Sequence, residues 1–177
     1  MINAKSIVVF CGSKNGNNPL YAAQAKELGY LLAANSIRCI YGGGNRGLMG
    51  AVANGVLEKG GTVTGIIPEL LNQWEQKHDE ITELIIVENM HVRKRLLYEK
   101  SDAAIILPGG FGSMDELFEI LTWNQLSIHD KPIYILNTAG YYDSLLHHMQ
   151  HMFNEGFLYT SVEDAITVIN TPEELFI

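Results

Sequence analysis

The chain is short of cysteine, of long apolar runs and of positive charge, and each shortage removes a class of protein. Only two of the 177 residues are cysteine, Cys11 and Cys39. Both sit at the ends of apolar runs, so they read as buried free thiols, and a disulfide framework is excluded. No apolar run approaches the roughly 18 residues that a membrane helix needs. The apolar stretch ahead of Cys11-Gly12-Ser13 is too short for a secretory signal and reads as a first strand, which makes a cytoplasmic protein the expectation. Lysine and arginine number 12 against 20 aspartates and glutamates, for a formal net charge of −8. That balance argues against a general role on nucleic acid or anionic membranes, where a positive face is required. It leaves room for one small phosphate in a local pocket. Linkers, internal repeats and low-complexity tracts are also lacking, so a single domain spanning residues 1–177 is expected.

What is present is an alternation. Short apolar runs, most of them β-branched, occupy residues 7–11, 38–41, 62–67, 84–87, 103–107, 132–136 and 165–169. Weak polar alternation within them suits strands buried on both faces. Segments with helical periodicity lie between, at 20–35, 48–59, 91–100, 114–126 and 142–155. Strand alternating with helix predicts an α/β fold, a Rossmann-like doubly wound parallel sheet with helices on both faces. The stretch 68–82, which contains Trp74, reads as either an irregular helix over the sheet or a mobile loop.

In such folds ligands bind outside the carboxyl ends of the strands, and three strand ends carry glycine. The first is Cys11-Gly12-Ser13. The second, Gly42-Gly43-Gly44-Asn45-Arg46-Gly47, matches G-x-G-x-x-G, with Glu69 about where a ribose-binding acid would fall. Isolated matches of this kind are common, and a tight strand-to-helix turn explains the glycines better than a dinucleotide site. The third, Pro108-Gly109-Gly110-Phe111-Gly112-Ser113, precedes a helix whose N-terminal N–H groups and partial positive charge suit a monophosphate. Ser113-x-x-Glu116 is equally a capping box, in which both side chains serve only the helix end.

Three segments taken together resemble the Lonely Guy (LOG) family of phosphoribohydrolases. They are Met90-His91-Val92-Arg93-Lys94, the 108–116 stretch ending in Ser113-Met114-Asp115-Glu116, and the upstream Gly42-Gly43-Gly44 with Gly47-Leu48-Met49-Gly50. The family pattern is M-H-x-R-K followed by P-G-G-x-G-T-x-x-E. The likeness extends through Thr122-Trp123 and His129-Asp130-Lys131-Pro132. Ser113 stands where the pattern has threonine and keeps the hydroxyl. The resemblance implies hydrolysis of the base–ribose bond of a nucleoside 5′-monophosphate, AMP or an N6-substituted AMP such as a cytokinin riboside monophosphate, by a homodimer. It implies catalytic roles for Arg93 and Glu116, and substrate binding by Gly12, Ser13, Gly43, Met90, Lys94, Gly109, Gly110, Gly112, Ser113 and Thr122. Neither a cofactor nor a metal is expected. The family is often labelled lysine decarboxylase, but that chemistry normally needs pyridoxal phosphate on a Schiff-base lysine, and no motif for it is recognisable.

Cleaving an N-glycosidic bond builds positive charge on the ribose ring, which a carboxylate stabilises. Glu116 is the candidate. The planar fork of Arg93 suits either the phosphate or the departing base. Its competing reading is a solvated basic helix face, Arg93-Lys94-Arg95. His147, His148 and His151 lack H-E-x-x-H spacing and read as a polar helix face rather than a zinc site. His91 is read as either structural or pocket-lining. Met114, Phe118 and Leu121 have the spacing of a helix core. The alternative function is a non-catalytic nucleotide or molybdenum-cofactor carrier, which would share the glycine turn without needing the Arg93 and Glu116 pair.

Overall fold

A computed structural model describes residues 2–72 and 77–177. Seven strands, β1 (Ser6–Phe10), β2 (Arg38–Tyr41), β3 (Val63–Pro68), β4 (Glu83–Val87), β5 (Ala103–Ile106), β6 (Ile133–Leu136) and β7 (Thr167–Ile169), form one sheet in the order β4-β3-β2-β1-β5-β6-β7. Every pairing is parallel. The helices between them are α1 (Pro19–Ala34), α2 (Gly47–Glu58), α3 (Glu69–Asn72), α4 (Met90–Glu99), α5 (Phe111–Gln125), α6 (Asp143–Asn154) and α7 (Val162–Ala165). The chain is thus the α/β doubly wound sheet that the alternation predicts.

Successive residues of a strand face opposite sides of the sheet, and β1 shows both sides buried. Ile7 and Val9 join the core beneath α1 and α2, whereas Val8 and Phe10 join the core beneath α4, α5 and α6. This double burial is why the strands read as unbroken apolar runs. Caps fix where the helices start. The Asn18 side chain accepts from the Leu20 N–H at 3.0 Å, with Pro19 in the first helical position, and Asn89 Oδ1 accepts from the Val92 N–H at 3.0 Å.

The chain first winds outward from β1 to β4, and α4 then carries it back to β5 on the other side of β1. The reversal leaves a crevice where the β1 and β5 ends diverge. The two ends remain laced together, with the Leu107 N–H donating to the Phe10 carbonyl at 2.9 Å and the Gly12 N–H to the Pro108 carbonyl at 3.0 Å.

Two local expectations are corrected. Helix α5 starts at Phe111, a turn before the predicted residue 114, with Gly110 as its N-cap and no side-chain cap bond. Ser113 therefore lies inside the first turn, so Ser113 and Glu116 do not form a capping box. The core stripe also differs from the expected one. Ser113, Leu117 and Ile120 are the buried positions, while Phe118 is 38% exposed and Met114 and Leu121 are only partly buried. Of the uncertain 68–82 stretch, α3 and the residues from Lys77 onward are described; Trp74 lies outside the described residues.

Candidate active site

The crevice holds a polar pocket of about 240 Å³. Its walls include two strand ends and two helices. They are Cys11, Gly12 and Ser13 after β1, Gly42 after β2, Gly110 to Ser113 at the start of α5 with Glu116 one turn further, and Arg93 reaching across from α4. A wider recess continues from it past Gly12, Ser13 and Gly110 to Gly109, Lys14, Tyr21 and Tyr141. Segments some eighty residues apart in the sequence therefore meet in one cavity.

The first turn of α5 forms one wall. In any helix the first N–H groups have no intrahelical partner, and here those of Phe111, Gly112 and Ser113 belong to residues lining the pocket. With the helix dipole they are suited to hold an anion, and the buried Ser113 offers a hydroxyl beside them. Gly109 must be glycine because a Cβ there would collide with Ser113 Oγ. The turn is braced from behind. The Tyr141 hydroxyl donates to the Gly109 carbonyl at 2.6 Å, and the Tyr142 hydroxyl to the Leu107 carbonyl at 2.7 Å.

Arg93 is 7% exposed, which removes the solvated-face reading of Arg93-Lys94-Arg95 at this position. Its Nε donates to the Ile66 carbonyl at 3.0 Å and its Nη2 to the Gly42 carbonyl at 3.3 Å. The guanidinium presses so closely on Gly42 that any Cβ there would collide with Nη2. Two of the five guanidinium donors are thus spent on aiming the group and a third meets the Met90 sulfur, which leaves two for a ligand.

Glu116 faces Arg93 within the same cavity. Desolvation raises its carboxyl from the ordinary 4.5 to about 7, against the opposing pull of Arg93. The neighbouring Asp115 charge adds to the rise and Lys94 opposes it. A carboxyl poised near neutrality is suited to exchanging protons with a substrate or water. The Cys11 thiol in the same pocket is pushed up by burial and by the nearby Cys39 and Glu116, which keeps it protonated and a poor nucleophile.

Five of the predicted site residues lie outside this cavity, Gly109 among them in the adjoining recess. Gly43 sits in the turn behind Gly42, with its carbonyl accepting from the His78 N–H at 3.0 Å. Met90 lends its sulfur to Arg93 Nη1 at 3.9 Å. Thr122 bonds its own helix, donating to the Phe118 carbonyl at 2.7 Å, and borders a separate groove between α5 and α6. Lys94 lies 2.7 Å from Asp115 and 3.5 Å from Glu119. Partial burial works against its charge, but these two carboxylates outweigh it and raise its pKa. A lysine held so firmly as an ammonium is a poor Schiff-base former, since that chemistry needs the neutral amine.

The description "possible lysine decarboxylase" belongs to a family pattern that matches residues 49–177. A probable cytokinin riboside 5′-monophosphate phosphoribohydrolase of Arabidopsis thaliana is 45% identical over 98% of this chain and 86% of its own length. The cytokinin riboside 5′-monophosphate phosphoribohydrolase of Rhodococcoides fascians is 42% identical over 95% of this chain and 90% of its own. The chain belongs to the Lonely Guy family. Among solved structures, a molybdenum cofactor binding protein from Rippkaea orientalis superposes with a TM-score of 0.73 at 22% identity, covering 99% of this chain and 95% of that one. The molybdenum cofactor carrier protein of Chlamydomonas reinhardtii gives 0.72 at 19% identity, covering 97% and 92%. At that identity the likeness is one of fold.

Within the Lonely Guy pattern, the structure adds residues that the motif reading passed over. Gly42 is a working part of the site through its carbonyl and its missing side chain, whereas the sequence reading had singled out Gly43. The signal was present in the run of three glycines, but only the position of Arg93 tells them apart. Cys11, Met49 and Phe111 also line the cavity. His91 is exposed and does not line it. His147, His148 and His151 lie exposed on α6, and no group of three or more metal-ligating side chains is placed to hold an ion among the described residues.

Proposed function

We propose that the protein hydrolyses the N-glycosidic bond of a nucleoside 5′-monophosphate, AMP or an N6-substituted AMP, to free base and ribose 5-phosphate. One observation carries the reading: an anion cradle, an anchored arginine and a carboxyl near neutrality share one pocket at the switch point of the sheet. The 5′-phosphate rests on the first turn of α5 and the Ser113 hydroxyl. With that charge already met, Arg93 serves the ribose and the departing base. Ionised Glu116 stabilises the positive charge that grows on the ribose as the C–N bond breaks. Water adds to the anomeric carbon, and its proton passes to Glu116 or to the base.

The reading includes a homodimer working in the cytoplasm. The apolar surface supports the dimer. Phe118, Leu126 and Ile128 are exposed on and beyond α5, and Phe157 and Tyr159 stand 77% and 87% exposed beside the α5–α6 groove. Large apolar side chains left to water near one groove are a common mark of a partner-binding surface.

The test compares AMP with adenosine, without added metal or pyridoxal phosphate, by chromatography of free adenine. AMP is expected to be favoured by about 100-fold or more in kcat/KM, because adenosine leaves the cradle unfilled. Equal turnover of the two would count against the phosphate anchor.

A further inference from the structure

A buried histidine lies outside the pocket and has no part in the reaction as described. His78 is only 2% exposed, and three hydrogen bonds hold it. Its backbone N–H donates to the Gly43 carbonyl at 3.0 Å. Its Nδ1 accepts from the Glu80 N–H at 3.4 Å, and its Nε2 lies 2.9 Å from Asn54 Oδ1 on α2. An accepting Nδ1 puts the ring proton on Nε2, which then donates to Asn54, so the neutral ring is satisfied at both nitrogens. Beside it, Lys77 pairs with Gly44 in an isolated antiparallel bridge.

These contacts converge on the turn that aims the arginine. Gly43 takes a φ of +84° to reverse the chain. The residue before it, Gly42, supplies the carbonyl that accepts from Arg93 Nη2. A continuous series of contacts therefore runs from Asn54 through His78, Gly43 and Gly42 to Arg93. A glycine-rich turn has little stiffness of its own, and the segment from Lys77 supplies a strut.

We propose that His78 is a positioning residue: pinned to Asn54, it clamps the turn at residues 42–44 so that the Gly42 carbonyl holds the Arg93 guanidinium in its pocket-facing pose. The proposal rests on the hydrolytic reading above for its consequence and on the geometry alone for the clamp. Misplacement of a catalytic group by an ångström costs about 100-fold in favourable cases, and a loosened turn should cost a part of that.

The experiment compares His78→Leu and His78→Gln with the unaltered protein. On each preparation, kcat and KM for AMP, thermal melting and amide hydrogen exchange across residues 42–46 are measured. His78→Leu should lower kcat by about tenfold with KM within about threefold, and should speed exchange at Gly43 and Gly44. His78→Gln keeps a donor within reach of Asn54 and should recover kcat to within about threefold. If His78→Leu does not fold, Asn54→Ala removes the acceptor instead and should show the same kcat loss. A variant that melts lower yet keeps kcat within about twofold, with residues 42–46 as protected as before, would overturn the clamp and leave His78 a core residue. If the unaltered protein releases no base from AMP, the hydrolytic reading fails. The exchange measurement then judges the clamp: unchanged protection in His78→Leu refutes it, and faster exchange upholds it.

Discussion

At the scale of single residues, the pocket sets folding against chemistry. The unfolded chain releases the Glu116 proton near 4.5, whereas the folded protein holds it up to about 7. As the pH rises through that window the unfolded state ionises first, so stability falls, and the loss is complete above pH 7. At about 1.4 kcal/mol per pKa unit the deficit is at most about 3.5 kcal/mol, and less because water reaches the pocket mouth. Glu116→Gln abolishes this term. It should raise the melting temperature at pH 8 and leave it nearly unchanged at pH 5. Equal melting of variant and parent at both pH values would mean that the carboxyl is not desolvated. Gly42 allows a second residue-scale prediction. Gly42→Ala places a methyl where Arg93 Nη2 lies. The guanidinium must move, and kcat for AMP should fall by about tenfold or more. Added to Arg93→Ala, the same change should cost little further, because both act through one group.

At the scale of elements, the strands were legible and the key helix start was not. The β-branched runs located all seven strands to within a few residues; double-sided burial makes the inner strands β1, β3 and β5 apolar blocks, and β-branched composition marks the more exposed edge strands β4 and β7. Helix α5 was harder. Ser113-x-x-Glu116 has the local pattern of a capping box, and local pattern alone cannot see that Gly110, three residues earlier, already serves as the N-cap. That shift moves Ser113 from the helix boundary into the first turn beside the pocket. Lys94 and Thr122 show the complementary limit. The motif marks them as site residues, but their side chains are engaged by Asp115 and by the Phe118 carbonyl. The cradle can be tested on its own element. Ser113→Ala should raise KM for AMP by about tenfold, the loss of one hydrogen bond to a charged group at ~1.5 kcal/mol, with kcat less affected. Ser113→Thr keeps the hydroxyl and should stay within about threefold. An unchanged KM in Ser113→Ala would remove the hydroxyl from the phosphate site.

At the scale of the whole molecule, the switch point of the sheet sets where the pocket forms, and the proposed dimer can be tested at the apolar groove between α5 and α6. Light scattering at micromolar concentration should give twice the 19.7 kDa of the chain. Leu126→Asp, a charge placed on exposed apolar surface, should shift the mass toward that of a single chain while leaving the melting transition cooperative; a single-chain mass for the unaltered protein would refute the dimer. The account as a whole stands on the pairing of Glu116 with Arg93 inside one phosphate-anchored pocket. The most direct test is AMP hydrolysis by Glu116→Gln, an almost isosteric change, with Arg93→Ala alongside and folding checked on the same samples. The account predicts a loss of about 100-fold or more in kcat for Glu116→Gln in a protein at least as stable as its parent, roughly 3 kcal/mol of transition-state stabilisation. Near-normal turnover by Glu116→Gln would contradict it.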